Sequence, residues 1–288
     1  MPVRQAKGND LNSLEFSLVV GLFGAAAGFL GALTGLGGGV VITPVLTLLF
    51  GVDIRYAIGA TLVSVIATSS GAASAFLKEG FSNIRIGMFL EIATTFGAIT
   101  GAFLAAKVPT SALGVILGLV LLYSAFLSTR PKPEARADAA ADPLAQRLKL
   151  DSTYPTPHGW QPYRVEHVKT GFGLMFGAGA MSGLLGIGSG ALKVLAMDHA
   201  MRIPFKVSTS TSNFMIGVTA AASAGVYLHR GYIDPVLAMP VMLGVSVGSL
   251  LGARHLSGAE TRVLRIVFGV VVGVLAVEMI YNGLIGKI

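Results

Sequence analysis

Eight stretches of this 288-residue chain are almost free of ionisable residues: 14–34, 54–77, 86–106 and 112–128 in the first half, then 170–185, 207–228, 233–253 and 263–285. About 20 helical residues cross the hydrocarbon core of a bilayer. In lipid every backbone N–H and C=O must find its partner within the protein, so apolar stretches of this length must be helical. The fold class expected is therefore an all-α polytopic membrane protein. Composition agrees, since 12% of residues are charged against about 25% in soluble domains. That balance excludes a disordered chain, a basic nucleic-acid module and almost any water-soluble enzyme. The absence of Cys removes disulfides, thiolate chemistry and Cys-ligated metal. Residues 14–28 have the look of a secretory leader with Ala25-Ala26-Ala27 as its cleavage site, but the apolar run continues past them, which favours a membrane helix.

Sliding the sequence by 151 residues aligns 28–128 with 179–279 without a gap. Gly28, Gly35, Gly37, Gly39, Gly80, Gly97, Gly101 and Gly118 then fall on Gly179, Gly186, Gly188, Gly190, Gly231, Gly248, Gly252 and Gly269. Those are eight coincidences where chance gives about two. Such an internal repeat is a common construction for secondary transporters. It divides the chain into a first repeat, 14–128, a linker, 129–168, and a second repeat, 169–286.

The first element of each repeat is interrupted. Residues 14–50 are mostly apolar and would span about 55 Å as one helix, too long for one upright crossing and barely enough for two. Their middle is Gly35-Leu36-Gly37-Gly38-Gly39, which no helix interior favours. The matching stretch, 170–201, is broken by Gly186-Ile187-Gly188-Ser189-Gly190. Each reads as a broken or re-entrant element that turns at depth, with a short helix resuming at 40–50 and at 191–201.

Lys and Arg set the orientation. The linker carries Arg130, Lys132, Arg136, Arg147, Lys149 and Arg164, with Lys169 just after it, and is expected in the cytoplasm. If the broken elements re-enter on the side they came from, Lys78, Arg85, Arg202, Lys206, Arg254, Arg262 and Arg265 join it there. The tally is then 14 inside against 6 outside, the latter being Arg4, Lys7, Arg55, Lys107, Arg230 and Lys287. Full crossings would turn five Lys/Arg of the second half outward. The two repeats, of about four helices each, are thus expected to have inverted topology, with both termini outside. The net charge of +7 belongs to these loops rather than to a nucleic-acid surface. Within the linker, Asp142-Pro143 followed by 144–150 predicts a short helix with an Asp N-cap and an N1 proline. The rest of the linker is expected as loop, with Trp160 as an interfacial anchor.

A backbone that turns inside a bilayer is tolerated only where it is buried or lines a cavity. The short helices after the breaks begin with unpaired N–H groups at the positive end of a dipole, an arrangement that attracts anions. Gly37, Gly38, Gly39, Gly188 and Gly190, with Ser189, would let backbone approach a ligand closely. The competing role for glycine is tight helix crossing, assigned here to Gly97/Gly101, Gly114/Gly118 and Gly244/Gly248/Gly252. Hydroxyls are the second feature. Ser208-Thr209-Ser210-Thr211-Ser212-Asn213 opens the helix after the second break, and Thr61, Ser64, Thr68, Ser69 and Ser70 occupy the matching helix. Any single Ser or Thr can bond back to its own helix, but six neutral polar residues in a row read as oxyanion donors. Thr61, Ser64, Thr211, Ser212 and Asn213 are the candidates.

Two ionisable residues lie at depth. Lys193, just after the second break, opposes the helix dipole there; it is either a substrate-binding cation or a side chain that snorkels to the cytoplasmic face. Glu91 is a candidate carrier of a coupling proton, or a plain interfacial carboxylate. The five His residues are scattered without metal-ligand spacing, and no Ser–His–acid set lies at adjacent deep positions. No catalytic residue, metal site or cofactor is expected. The expected partners are a small anionic substrate and membrane lipid, not nucleic acid, and a homodimer is compatible with the sequence.

Gly28–Thr61, GFLGALTGLGGGVVITPVLTLLFGVDIRYAIGAT, and its copy Gly179–Asn213 resemble the sulfite exporter TauE/SafE family. A Gly-rich break, a short apolar helix, a basic residue and a Gly/Ala–Thr helix form that family's paired signature. Arg55 with Thr61, and Lys206 with Ser212, stand at its positions here. The resemblance covers both repeats and leaves out the linker. The second copy departs from the first in having Ser208-Thr209-Ser210 where the first has Ala57-Ile58-Gly59. The resemblance implies a permease of the bacterial inner membrane, an exporter of sulfite or of a small organosulfonate such as sulfoacetate. The residues alone leave open a proton- or sodium-coupled carrier of another small organic anion, such as a carboxylate, and less readily an intramembrane enzyme.

Overall fold

A computed structural model describes residues 12–34, 39–78, 80–129, 142–156, 159–255 and 261–288. The first half forms α1 (Ser13–Thr34), α2 (Gly39–Leu48), α3 (Ile54–Lys78), α4 (Ile84–Ala105) and α5 (Thr110–Thr129). The linker holds α6 (Pro143–Arg147) and a hairpin of β1 (Ser152–Thr156) and β2 (Gly159–Tyr163). The second half forms α7 (Val168–Leu185), α8 (Gly190–Leu195), α9 (Phe205–His229), α10 (Pro235–His255) and α11 (Thr261–Leu284). Among the described residues each half thus has four long helices and one short one, the short one being the piece after the break.

Two expectations are corrected. The helix expected over 191–201 stops at Leu195 and continues as a single π turn, Ala196–Ala200. This wider turn swings Met201 against Gly171, whose missing side chain makes the room. The linker beyond α6 is not all loop, because β1 and β2 pair antiparallel with Tyr154 opposite Gln161 and Pro155 opposite Trp160. Pro155 and Pro162 argue against a strand in a larger sheet, but a two-stranded hairpin consists only of edges, where Pro is tolerated. Asp142 caps α6, accepting from Leu144 N at 2.8 Å, and also accepts from Val168 N at 2.9 Å, which ties the linker to the start of α7. Asn83 Nδ2 donates to Leu150 O and to the Tyr163 hydroxyl, anchoring the hairpin beneath α4. Burial pushes the Tyr163 phenol up to about 12, so it stays neutral at any physiological pH.

Burial is inverted relative to a water-soluble bundle. Met88, Ile92 and Phe96 on α4, and Met239, Leu243, Val247 and Leu250 on α10, form exposed apolar stripes at helical spacing. Thr43, Thr61, Ser64, Glu91, Lys193, Ser208, Ser212, Thr219 and Ser223 are buried. Large apolar side chains outside and polar ones inside suit a hydrocarbon solvent. Among the described residues, Leu14–Gly31, Ile84–Ala105 and Pro235–Gly252 are long and apolar enough to cross a membrane, and Gly39–Leu48, Ile54–Ser69, Thr110–Phe126 and Gly269–Leu284 are shorter apolar helical stretches. The hydroxyl run keeps α9 out of both groups, as its many glycines do α7.

Glycine contacts fix the relative directions of the helices. Gly97 packs on Phe176 and Ala180, Gly179 on Thr94 and Gly183 on Ala98, so α4 and α7 run the same way. Helix α9 runs alongside α4 in that direction too, since Ser82–Ser210, Asn83–Thr211 and Glu91–Thr219 bonds all join residues 128 apart. The chain between α7 and α9 must therefore return to the end from which α7 set out, and Glu166 N indeed donates to Met201 O at 3.1 Å. In the same manner α1 runs with α10, Gly24 packing on Val241 and Gly28 on Val245. By contrast α3 opposes α9, with Tyr56 and Tyr227 both against Tyr232 while Ser69 meets Gly217. Helix α5 opposes α11, Gly118 facing Ala276 and Gly283 facing Ser111.

Candidate functional site

Gly39, which follows the first break, and the second break come together beside α3 and α9. Gly37 and Gly38 lie outside the described residues. Gly39 opens α2, and a Cβ there would stand 2.7 Å from the Val65 side chain, 3.0 Å from that of Thr61 and 3.8 Å from the Gly186 carbonyl oxygen. On the other side, Gly186 ends α7 in the left-handed region at φ +70°, its N–H donating to Ser182 O at 2.7 Å. Gly188, at φ +68°, faces Ile216 and Val65, near the middles of α9 and α3. Ser189 is also left-handed, at φ +44°, and its buried hydroxyl has no partner among the described residues. Backbone strain of this kind in a non-glycine residue costs on the order of 1–3 kcal/mol.

The candidate hydroxyls divide into engaged and free groups. Thr61 donates to Ala57 O at 2.8 Å and meets the Thr43 hydroxyl at 2.9 Å; Ser64 donates to Thr61 O at 2.8 Å. Ser212 donates to the Gly190 carbonyl at 3.3 Å. Thr211 accepts from Asn83 N at 3.1 Å, where α9 starts beside α4, and so stands away from the break. These bonds join helices and breaks to one another. Asn213 is buried and its amide has no hydrogen bond among the described residues. The hydroxyls of Thr47, Ser182 and Thr209 are likewise buried and unpaired, a state that buried polar groups seldom keep.

Lys193 and Glu91 come together through a residue the sequence reading did not single out. Lys193 Nζ donates to Thr219 Oγ1, and the Thr219 hydroxyl bonds Glu91 Oε1 at 2.6 Å. Two short bonds through one oxygen put the charges roughly 5 Å apart, close enough to act as a pair at any protein dielectric. Lys193 is 0% exposed and Glu91 8%. The lysine does not snorkel. It sits one turn beyond Gly190, whose carbonyl touches Ser212, yet its ammonium reaches Thr219, about 10 Å further along α9. Side chains lean toward the N-terminus of their helix, which here aims Lys193 back at the break. Thr219 is the 151-residue image of Thr68, so the repeat register was the means to find it.

The pattern of broken elements and inward polar groups is set within a recognisable sequence. The profile described as sulfite exporter TauE/SafE matches residues 20–279. The chain belongs to the sulfite exporter TauE/SafE family. Both breaks, Glu91, Lys193 and Thr219 lie inside the matched region. Among relatives of the family, the chain is 27% identical over 279 residues to the probable membrane transporter protein YunE of Bacillus subtilis (strain 168), covering 94% of this chain and 99% of that one. It is 29% identical over 250 residues to the probable membrane transporter protein YjnA of the same strain, covering 84% and 90%. An archaeal relative, the probable membrane transporter protein MJ0441 of Methanocaldococcus jannaschii, is 25% identical over 285 residues, covering 92% and 97%. No solved structure gives a significant match. Family membership and the apolar helices make this a membrane transporter and not an enzyme.

Proposed function

We propose that this TauE/SafE member exports a small sulfur oxyanion, sulfite or an organosulfonate such as sulfoacetate, across the bacterial inner membrane. The substrate sits between the two broken elements. The observation that carries the reading is Lys193: a fully buried ammonium aimed at the break, with the unpaired Ser189 hydroxyl one turn before it. An intramembrane cation is expensive and marks a substrate or ion path. Asn213 supplies a further donor, and the backbone N–H groups of Gly37–Gly39 and Gly188–Gly190 are proposed to add theirs. Thr61, Ser64, Thr211 and Ser212 act behind them as supports, because their hydroxyls are already engaged.

Alternating access then follows from the repeats, 14–128 and 169–286, moving against each other. The partner choices of the two halves correspond, α1 with α10 as α7 with α4, and the equivalent helices that meet, α3 with α9 and α5 with α11, oppose each other. Both features support inverted topology, and the Lys/Arg distribution of the loops supports placing the 129–168 linker in the cytoplasm and the termini outside. Cysteines introduced at Ser13 and Ala140 of this Cys-free chain are expected to label from opposite sides, and labelling of both from one side contradicts the inversion.

The substrate class is tested by thermal stabilisation of the detergent-purified protein with sulfite, sulfoacetate, sulfolactate, taurine, sulfate and acetate. Sulfite or a sulfonate should stabilise most. Stabilisation by acetate alone would favour the carboxylate carrier. Asn213→Ala should weaken binding of the stabilising anion about 10- to 150-fold, the value of one hydrogen bond to a charged ligand. Isothermal calorimetry reads this directly, and unchanged affinity would move the site elsewhere.

A further inference from the structure

The internal repeat supplies its own control for the buried charges. Under the 151-residue shift Thr219 corresponds to Thr68, Lys193 to Ile42 and Glu91 to Met242. The two threonines make the same bond back along their helices, Thr219 to Met215 O at 3.0 Å and Thr68 to Ser64 O at 3.1 Å. The repeat image of the site, around Thr68, thus has Ile42 from the first half and Met242 from the second where the site around Thr219 has a cation and a carboxylate. Packing does not require the charges. They are also placed where only each other can compensate them. Among the described residues, the charged group that faces Glu91 is Lys193, through Thr219. Arg85 on α4 is exposed and donates to Lys149 O, Lys206 on α9 lies over the Phe81 ring, Lys169 and His199 are exposed, and Asp198 sits in the π turn at that same end. His229 and Arg230 lie at the far end of α9.

We propose that Glu91 and Lys193 form a counter-ion exchange site that couples one proton to each monovalent anion carried. The proposal rests on the carrier reading above. In the empty protein Glu91 is the counter-ion of Lys193 through Thr219. When an anion reaches Lys193 it takes over that role, and Glu91 then takes up a proton on Oε2, the carboxylate oxygen that has no hydrogen-bond partner among the described residues. The site is neutral in both states: ammonium with carboxylate when empty, ammonium with bound anion and a neutral carboxylic acid when loaded. A loaded site without the proton would carry a net negative charge at membrane depth, the costly alternative. Thr219 carries the exchange, since its one proton can turn from Glu91 Oε1 to the Met215 carbonyl as the carboxylate is neutralised. Anion and proton leave together, and the direction follows their combined gradients.

The test uses the full chain in proteoliposomes with a pH dye in the lumen and valinomycin to set the potential. Labelled isethionate, singly charged at every pH used, is run beside labelled sulfoacetate, sulfite and acetate. For isethionate, the wild type should move about one proton per anion, with flux indifferent to potential and changing about ten-fold per pH unit on the alkaline side of the transition. Glu91→Gln should still move the anion but no proton, and its flux should become pH-independent and potential-dependent, because its empty form returns with an uncompensated cation. Glu91→Gln/Lys193→Met, which makes the site neutral like its repeat image around Thr68, should fold and lose anion flux. Isethionate flux without protons in the wild type, or proton movement retained in Glu91→Gln, overturns the coupling while leaving the carrier reading intact. If Glu91→Gln does not fold, the wild-type stoichiometry decides alone. Absence of flux for every anion overturns the carrier reading and the coupling with it.

Discussion

Gly179→Leu is expected to yield no folded protein. Helices α4 and α7 cross with backbone against backbone, and a Cβ on Gly179 would meet the Thr94 carbonyl and stand 2.7 Å from Thr94 Cα. Its repeat image, Gly28, faces the carbonyl of Val245, which is the image of Thr94, so the contact is built twice. Backbone cannot yield as a side-chain tip does, and overpacking of this kind costs about 3 kcal/mol or more. That is a large part of the roughly 5–15 kcal/mol that holds a typical fold. Gly177→Leu is the control: it lies on the same helix, and a Cβ there has nothing within 4 Å. Size-exclusion profiles in detergent should show a monodisperse peak for Gly177→Leu and aggregate or no protein for Gly179→Leu. A well-folded Gly179→Leu would mean that the crossing is looser than described.

Lys193→Ala is expected to lower stability by about 3–5 kcal/mol, the range for removing one partner of a buried charge pair. The loss comes from Glu91, left in the interior with Thr219 and Thr95 but without its cation. Adding Glu91→Gln to Lys193→Ala should recover most of the loss, because a neutral amide can keep the Thr219 bond. A double-mutant cycle on melting temperatures measures the coupling. Additive losses would show that the two residues do not act as a pair. Lys193→Ala should also abolish stabilisation by the anion that protects the wild type.

Helix positions and the second break were legible in the sequence because each rests on local pattern: apolar length and glycine clusters. The long helices begin within two residues of their expected starts. Glycine as a crossing device was legible too, since Gly97 and Gly101 do lie against the backbone of α7. What escaped depends on elements distant in the chain. Thr219 looks like any helical threonine until α4 brings Glu91 to it across 128 residues. The hydroxyl run read as one group, yet Thr211 serves the α4 start, Ser212 the second break and Asn213 neither. Lys193 was ambiguous because its direction depends on which way α8 runs, and α8 runs back from the break. The linker hairpin was hidden by its prolines, and the π turn by the lack of any residue that demands one.

In the proposed function, sulfur oxyanions cross the membrane through a site at the two breaks. Efflux of labelled sulfoacetate and labelled sulfite from proteoliposomes tests it most directly. Saturable efflux above protein-free vesicles is expected, slowed by unlabelled sulfonates and lost in Lys193→Ala. Efflux of carboxylates alone, or sulfonate efflux unchanged in Lys193→Ala, would contradict it.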